Sequence, residues 1–268
     1  MKNVFVLVIV TFIAVSACRV EKNPAASSKA MSLVYQGSLW GAMFQQKASE
    51  YKALCFQAYN TARMRLDIIL QQQHSKPIAI VTDIDETVLD NSPYAVHRAV
   101  KDSGYTDESW ITWTSREECD TVPGALSFMK YASGKGVHIF YITNRLEAER
   151  NATRKNLQRW SFPDAVDDHL FLKQSTSGKE QRRSIVAKDH EIVMLCGDNL
   201  SDFSAIFDKQ PYPERDKRVT DNAQLFGEKF IVLPNASYGD WEGALYNFNY
   251  NLPPARKDSA ILRQLKTY

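Results

Sequence analysis

From Pro77 onward, apolar and polar positions alternate in blocks that read as strand, helix, strand. Ile78 to Thr82 is an uninterrupted apolar, β-branched run, the signature of a strand buried on both faces. Pro123-Gly124 opens a helix that stops near Gly134, and Val137 to Ile142 is a second strand. Leu146 to Trp160 is a charged amphipathic helix ended by Pro163. Leu170 to Leu172 is a short strand, Lys179 to Lys188 a helix, and Ile192 to Cys196 a fourth strand. Ser201 to Phe207 begins another helix, and Phe230 to Leu233 is a fifth strand before Pro234. Strands separated by helices predict βαβ units and a parallel sheet covered on both faces.

Flanking segments follow a different rhythm. Leu33 to Leu70 carries apolar residues at helical spacing, including Trp40, Phe44, Tyr51, Leu54, Ala58, Ala62, Leu66 and Ile69, and predicts one or two helices packed on the core. Trp241 to Tyr268 also reads as helical and is expected near them. Asn91 to Glu118 is aromatic-rich and reads as an irregular excursion. The expected organisation is a helical segment 31–74, an α/β core 75–238 with the excursion at 91–120 beside the active site, and a C-terminal helical segment 239–268. The fold class is a Rossmann-like parallel α/β sheet flanked by helices, with a smaller helical domain.

The first residues change the picture of location. Met1-Lys2-Asn3 is cationic, and Val4 to Val15 is apolar but short for a membrane span. Val15-Ser16-Ala17-Cys18 resembles a bacterial lipoprotein signal, which implies residues 1–17 as signal, cleavage before Cys18 and acylation of its thiol. Residues 18–30 are polar and small and read as a tether. Arg19 stands where an inner-membrane retention signal would place Asp, so the outer membrane is expected. A lipid anchor holds a protein on a membrane without spanning it.

Composition narrows the chemistry. With 268 residues, 44% hydrophobic and 24% charged, the chain can bury a substantial core. A net charge of +2 does not argue for a nucleic-acid polymer as partner. Cys55, Cys119 and Cys196 fit no zinc spacing. Cys55 and Cys119 could pair in an oxidising compartment, and Cys196 reads as buried. The five histidines form no cluster along the sequence. Ser177-Gly178-Lys179 is not a phosphate loop, because Lys173 and Glu180 stand where that motif needs Gly and Ser or Thr. Asn151-Ala152-Thr153 is a formal glycosylation sequon without use behind a bacterial signal.

The candidate chemistry lies at strand ends. Asp83, Thr143 and Asp198 each follow an expected strand, and ligands of open parallel sheets bind beyond the carboxyl ends of the strands. Two carboxylates, Asp83 and Asp85, end a buried run at a cost that a cation or a reaction can repay. Taken singly these residues are ordinary: acid pairs cap helices, Gly197-Asp198 makes a turn, and Lys179 is a solvated lysine. Their joint order is not.

Asp83-Ile84-Asp85-Glu86-Thr87, Thr143-Asn144-Arg145, Lys179 and Gly197-Asp198-Asn199-Leu200-Ser201-Asp202 resemble the four motifs of the haloacid dehalogenase superfamily, in its four-aspartate class. Asp90-Asn91-Ser92-Pro93-Tyr94-Ala95, Val122-Pro123-Gly124-Ala125 and Leu233-Pro234-Asn235-Ala236 resemble bacterial class C acid phosphatases of the lipoprotein e(P4), 5′-nucleotidase type. The resemblance implies a Mg2+-dependent phosphomonoesterase in which Asp83 is nucleophile and Asp85 the general acid and base. It implies metal ligation by Asp83, the Asp85 backbone carbonyl and Asp198, with Asp202 behind them. Thr143, Asn144 and Lys179 would bind the phosphoryl group. A crowd of carboxylates raises some of their pKa values, so a mildly acidic optimum is expected. Tyr105, Trp110 and Tyr238 match an aromatic pocket for a nucleobase, which suggests nucleoside 5′-monophosphates and nicotinamide mononucleotide as substrates. The plainer account is that Trp110 and Trp113 anchor a helix on the core. The family also tends to dimerise. The alternatives are a carbon–halogen hydrolase or phosphomutase, which the acid at 85 and the lack of a large cap disfavour, and a haem-type ligand-binding lipoprotein on an inactive core.

Overall fold

The computed structural model describes residues 31–268. The signal, the tether and Cys18 lie outside the described residues. In chain order, α1 (Leu33–Lys47) and α2 (Ser49–Ile69) lead into β1 (Ile78–Thr82). A short hairpin follows, β2 (Leu89–Asp90) pairing antiparallel with β3 (Asp120–Thr121), with α3 (Ser92–Ala99) and α4 (Asp107–Thr114) between its strands. Then come α5 (Ala125–Gly134), β4 (His138–Leu146), α6 (Arg150–Arg159), β5 (Leu170–Lys173), α7 (Glu180–Asp189) and β6 (Glu191–Gly197). The chain ends with α8 (Tyr212–Asp221), β7 (Phe230–Val232), α9 (Asp240–Leu245) and α10 (Pro254–Gln264).

Five strands form one sheet in the order β5-β4-β1-β6-β7, and every pair is parallel. The chain builds outward from β1 on one side, then crosses back to lay β6 on the other. That reversal is a topological switch point, and its crevice opens at the carboxyl ends of β1, β4 and β6. All five residues of β1 are buried, as a central parallel strand requires. Its side chains alternate between two cores. Ile78 and Ile80 meet Tyr51, Cys55, Tyr59, Ala62 and Leu66 of α2 and Phe128 and Met129 of α5. Ala79 and Val81 meet Phe140, Val186 of α7, Phe203 and Phe230.

Several expectations are corrected in detail. Of the one or two helices expected from Leu33, two form, divided at Ala48, and α2 buries Tyr51, Cys55, Tyr59, Ala62 and Leu66. Trp40, Phe44 and Leu54 instead lie exposed, off that stripe. The excursion after Asn91 is not irregular. Pro93 suits the first turn of α3, and Thr106 with Ser109 forms a capping box on α4, followed by Asp107 and Glu108 at the positive end of its dipole. Strand β4 continues through Thr143 to Leu146, so the next α-helix begins at Arg150. Beyond β6 only two short 3-10 turns form before α8. The C-terminal stretch breaks between α9 and α10, where Asn247 and Phe248 adopt left-handed φ and Pro253 follows. α10 packs against α1. Cys55, Cys119 and Cys196 are all buried and unpaired. No helix among the described residues is long and apolar enough to cross a membrane.

Candidate active site

Asp83 sits one residue beyond β1, and its amide still donates to the Cys196 carbonyl of β6 at 2.9 Å. That bond carries the ladder past the strand and sets Asp83 beside the end of β6. The chain then turns tightly: the Val88 and Leu89 amides both donate to the Ile84 carbonyl at 2.9 Å. Glu86 at its centre has φ 57, a left-handed conformation costly for a side chain of its size. Its carboxyl holds the turn by accepting from the Asn91 amide at 2.8 Å and from the Tyr238 phenol.

On the β6 side, Gly197 leaves room that a Cβ would deny, because Asp202 occupies that space. Asp202 therefore folds back under the strand end. Its Oδ2 accepts from the Asn199 amide at 3.0 Å, and its Oδ1 lies 2.6 Å from Lys179 Nζ. Lys179, just before α7, also donates to Asp83, and it is buried. Asp198 accepts from Asn235 Nδ2 at 2.8 Å. Asp83, Asp198 and Asp202 each present a carboxylate oxygen within 4.8 Å of the other two. Hard oxygen donors so close together, with one lysine among three acids, fit a divalent cation of the magnesium type. Both Asp202 oxygens already face protein donors, which suits it to orienting the cluster more than to ligation. Burial pushes Asp83 up to about 7, with Lys179 opposing and Asp202 and Asp85 adding to the rise. Burial pushes Asp198 well above the carboxylate range too, helped by the charges of Asp202 and Asp83. A bound cation would reverse this.

Asp85 stands on the other side of the crevice in a built clamp. Arg145 Nη2 and Nε donate to its Oδ1 at 2.8 and 3.0 Å, and Asn91 Nδ2 donates to the same oxygen at 2.8 Å. Thr143 Oγ1 lies 3.4 Å from Oδ2. The Arg145 side chain is fully buried. Burial alone would lower its pKa, but Asp85, Cys119 and Glu149 together raise it above the ordinary value. Asn91 is itself held by Trp113, whose Nε1 donates to Oδ1 at 2.8 Å. Trp113 thus braces the clamp as well as the core.

The expected phosphate-binding residues converge in part. Thr143 is buried at the clamp, and its hydroxyl accepts from the Arg145 amide at 3.1 Å. Asn144 is exposed, and its Oδ1 accepts from Arg182 Nη2 at 2.8 Å. Arg182, on α7, also donates to the Thr143 carbonyl. Of the aromatic set, Tyr105 and Trp110 pack with ring centres 5.9 Å apart, and Tyr94 meets Trp110 edge-on at 4.9 Å. Trp110 is buried, while Tyr105 is 58% exposed with its hydroxyl donating to Asp107 at 2.7 Å. Tyr238 approaches separately, through Glu86. Arg145, Asn91, Trp113, Arg182 and Asn235 are the contributors the motif reading did not assign. Arg145 did carry a signal: it follows Thr143 by two, so a strand continued past Ile142 points both the same way.

A parallel α/β sheet with a carboxylate cluster and a buried lysine at its switch point defines a haloacid-dehalogenase-type protein. The chain belongs to the HAD superfamily, subfamily IIIB, the acid phosphatases, whose family model matches residues 12–241. It is similar to the class C acid phosphatase of Bacillus anthracis, solved also with tungstate bound. In both structures the identity is 43% and the TM-score 0.85, covering 88% of this chain and 99% of that one. It is 28% identical over 130 residues to Acid phosphatase 1 of Solanum lycopersicum, a match covering 46% of this chain. The chain spans about half the length of that curated relative, 50%.

Proposed function

We propose that this protein hydrolyses phosphate monoesters by transferring the phosphoryl group to Asp83 and then to water, with Mg2+ as cofactor. The observation that carries the reading is the meeting of Asp83, Asp198 and Lys179 at one crevice with Asp85 clamped opposite. Asp83 and Asp198 would hold the cation with the Asp85 carbonyl. When bound, the cation neutralises phosphoryl oxygens that would otherwise repel an anionic nucleophile. Lys179 adds a positive charge to the transferring group. The Thr143 hydroxyl and the Asn144 side chain, steadied by Arg182, donate to phosphoryl oxygens. The Asp83 oxygen attacks phosphorus in line, and the ester oxygen departs with a proton from Asp85. Asp85 then takes a proton from water as it attacks the aspartyl-phosphate. The Arg145 and Asn91 clamp fixes the carboxyl for both transfers.

For substrate, the favoured class is a phosphate ester of an aromatic or nucleoside alcohol, including nucleoside 5′-monophosphates and nicotinamide mononucleotide. Tyr105 offers the freer ring face, with Trp110 backing it, and Tyr238 borders the site through Glu86. Base stacking on such rings contributes about 1–3 kcal/mol. The tungstate held by the Bacillus relative is an oxyanion of phosphate-like charge and shape, consistent with a phosphoryl site in the same fold. The sequence also supports acylation at Cys18 and an outer-membrane location. The test is phosphate release from AMP with and without Mg2+, beside Asp83→Asn. Loss of turnover in both arms supports the reading; full turnover by Asp83→Asn defeats it.

A further inference from the structure

Glu86 is the strained residue of the active-site turn. Its φ of 57 is left-handed, where glycine sits freely and a longer side chain does not. The turn closes without its side chain: the Glu86 amide donates to the Leu89 carbonyl at 2.8 Å, and the Val88 and Leu89 amides meet the Ile84 carbonyl. In a turn that closes by itself, such strain is kept for what the side chain holds. Glu86 is 1% exposed, and each of its oxygens has its own partner. Oε1 accepts from the Asn91 amide at 2.8 Å, and Oε2 accepts from the Tyr238 phenol. Asn91 immediately precedes α3, and its Nδ2 grips Asp85 Oδ1 at 2.8 Å. Tyr238 is set by Asn235, whose Oδ1 accepts from the Ser237 amide at 2.9 Å and the Tyr238 amide at 3.4 Å, while its Nδ2 donates to Asp198. Hydrogen bonds thus run from Asp198 through Asn235, Tyr238, Glu86 and Asn91 to Asp85.

We propose that Glu86 is a positioning residue for hydrolysis, latched by the Tyr238 phenol, that keeps Asp85 in register with the cation side of the crevice. The proposal rests on Asp85 being the proton donor to the departing ester oxygen. Glu86 acts through Asn91 and Tyr238, not on substrate. The donors around Asp85 converge on Oδ1, with Asn91 Nδ2 and Arg145 Nη2 both at 2.8 Å. Oδ2 has only longer contacts, 3.3 Å to Arg145 Nε and 3.4 Å to Thr143 Oγ1, which suits it to carry the proton. A slack Asn91 would let the carboxyl rotate and exchange those roles. The Tyr238 hydroxyl is committed to Glu86, so it serves the acid, and the ring face remains for substrate. Removing the Glu86 carboxyl or the Tyr238 hydroxyl cuts the same path at the same point. A misplaced proton donor costs most when the leaving oxygen is strongly basic. A nitrophenolate departs with little help, whereas an aliphatic alkoxide needs the proton.

The test is kcat/KM, which reports the steps through phosphoryl transfer to Asp83, on two aromatic esters that differ in their leaving oxygen: nitrophenyl phosphate and phenylethyl phosphate. Wild type, Asp85→Asn, Tyr238→Phe, Glu86→Gly and the Tyr238→Phe, Glu86→Gly double variant are compared with Mg2+. Phe keeps the ring, and Gly suits the left-handed φ. Asp85→Asn calibrates the proton donor and should lose far more on the phenylethyl ester. Tyr238→Phe and Glu86→Gly should each lose about tenfold more on the phenylethyl ester than on the nitrophenyl ester. The double variant should lose no more than Glu86→Gly alone, because the path is already cut. Tyr238→Phe reads the same ratio by itself if Glu86→Gly does not fold. A merely structural role would lower both esters equally, and that result, with Asp85→Asn still discriminating, overturns the proposal. Additive losses in the double variant overturn it too. If Asp85→Asn treats the two esters alike, the proton-donor reading fails and the proposal fails with it.

Discussion

Replacing Arg145 by Met tests whether the Asp85 clamp is as built as its geometry implies. Met keeps an unbranched apolar stem of similar reach and removes only the guanidinium. Two charge-assisted bonds to Asp85 Oδ1, at 2.8 and 3.0 Å, disappear, together with one to Thr153 Oγ1 at 3.2 Å. Such bonds contribute about 1.5–3 kcal/mol each when undisturbed, but they share one acceptor and are not additive. Breaking a buried pair by removing one partner costs about 3–5 kcal/mol, because the other charge is stranded. The Asp85 side chain retains 15% exposure, so water relieves part of that. The expected loss is therefore about 3 kcal/mol in urea unfolding. Asp85→Asn in the same chain should recover about 2 kcal/mol relative to additivity, since the stranded charge is then gone. In kinetics, Arg145→Met should lower kcat about 100-fold through a misplaced Asp85, with a smaller change in KM. A loss under about 1 kcal/mol, or strict additivity in the double variant, would refute the clamp.

Asp198→Asn should abolish Mg2+-dependent turnover while leaving the fold intact, read by activity beside circular dichroism; retained Mg2+ response would remove Asp198 from the cation site. Gly41→Ala should destabilise by about 1–3 kcal/mol, since an added Cβ would lie 2.5–2.6 Å from the Ala236 and Ser237 backbone next to Asn235, the partner of Asp198; an unchanged melting temperature would contradict it. Burial raises the Cys55 and Cys119 thiols from 9.0 to about 11, Arg145 opposing at Cys119. At pH 8 their thiolate fraction is then about 100-fold below that of the unfolded chain. Native alkylation should be slow at pH 8 and accelerate as pH rises toward 11, and labelling at the unfolded rate would disagree. Tyr105→Ala should cut turnover of AMP more than that of a small aliphatic phosphate, and equal losses would remove stacking at that ring.

The parts legible in the sequence are those where one local rule acts alone. β1 is readable because a central parallel strand has no polar face to confuse the pattern, and the acids at its tip gain meaning only from their order with Thr143, Lys179 and Asp198. Asp83, Thr143 and Asp198, each expected after a strand, point to three segments meeting at one sheet edge, and the strand order sets β4, β1 and β6 side by side. Arg145 went unassigned because the strand was expected to end at Ile142, hiding its shared face with Thr143. The helices α3 and α4, eight residues each, are too short to show a repeating apolar stripe, and only their start signals at Pro93 and Thr106–Ser109 mark them. Trp113, Asn235 and Arg182 act through partners 22 to 39 positions away. No periodicity reports such pairs.

The central claim is that Asp83 carries the phosphoryl group. The most direct test is acid quench of the enzyme during turnover of a phosphate monoester with Mg2+, borohydride reduction, and mass spectrometry of the peptide spanning Ile78–Glu86. The account predicts a reduced, homoserine-type residue at position 83, absent without substrate and absent in Asp83→Asn. Trapping at another residue, or sustained turnover with no modification at position 83, would contradict it.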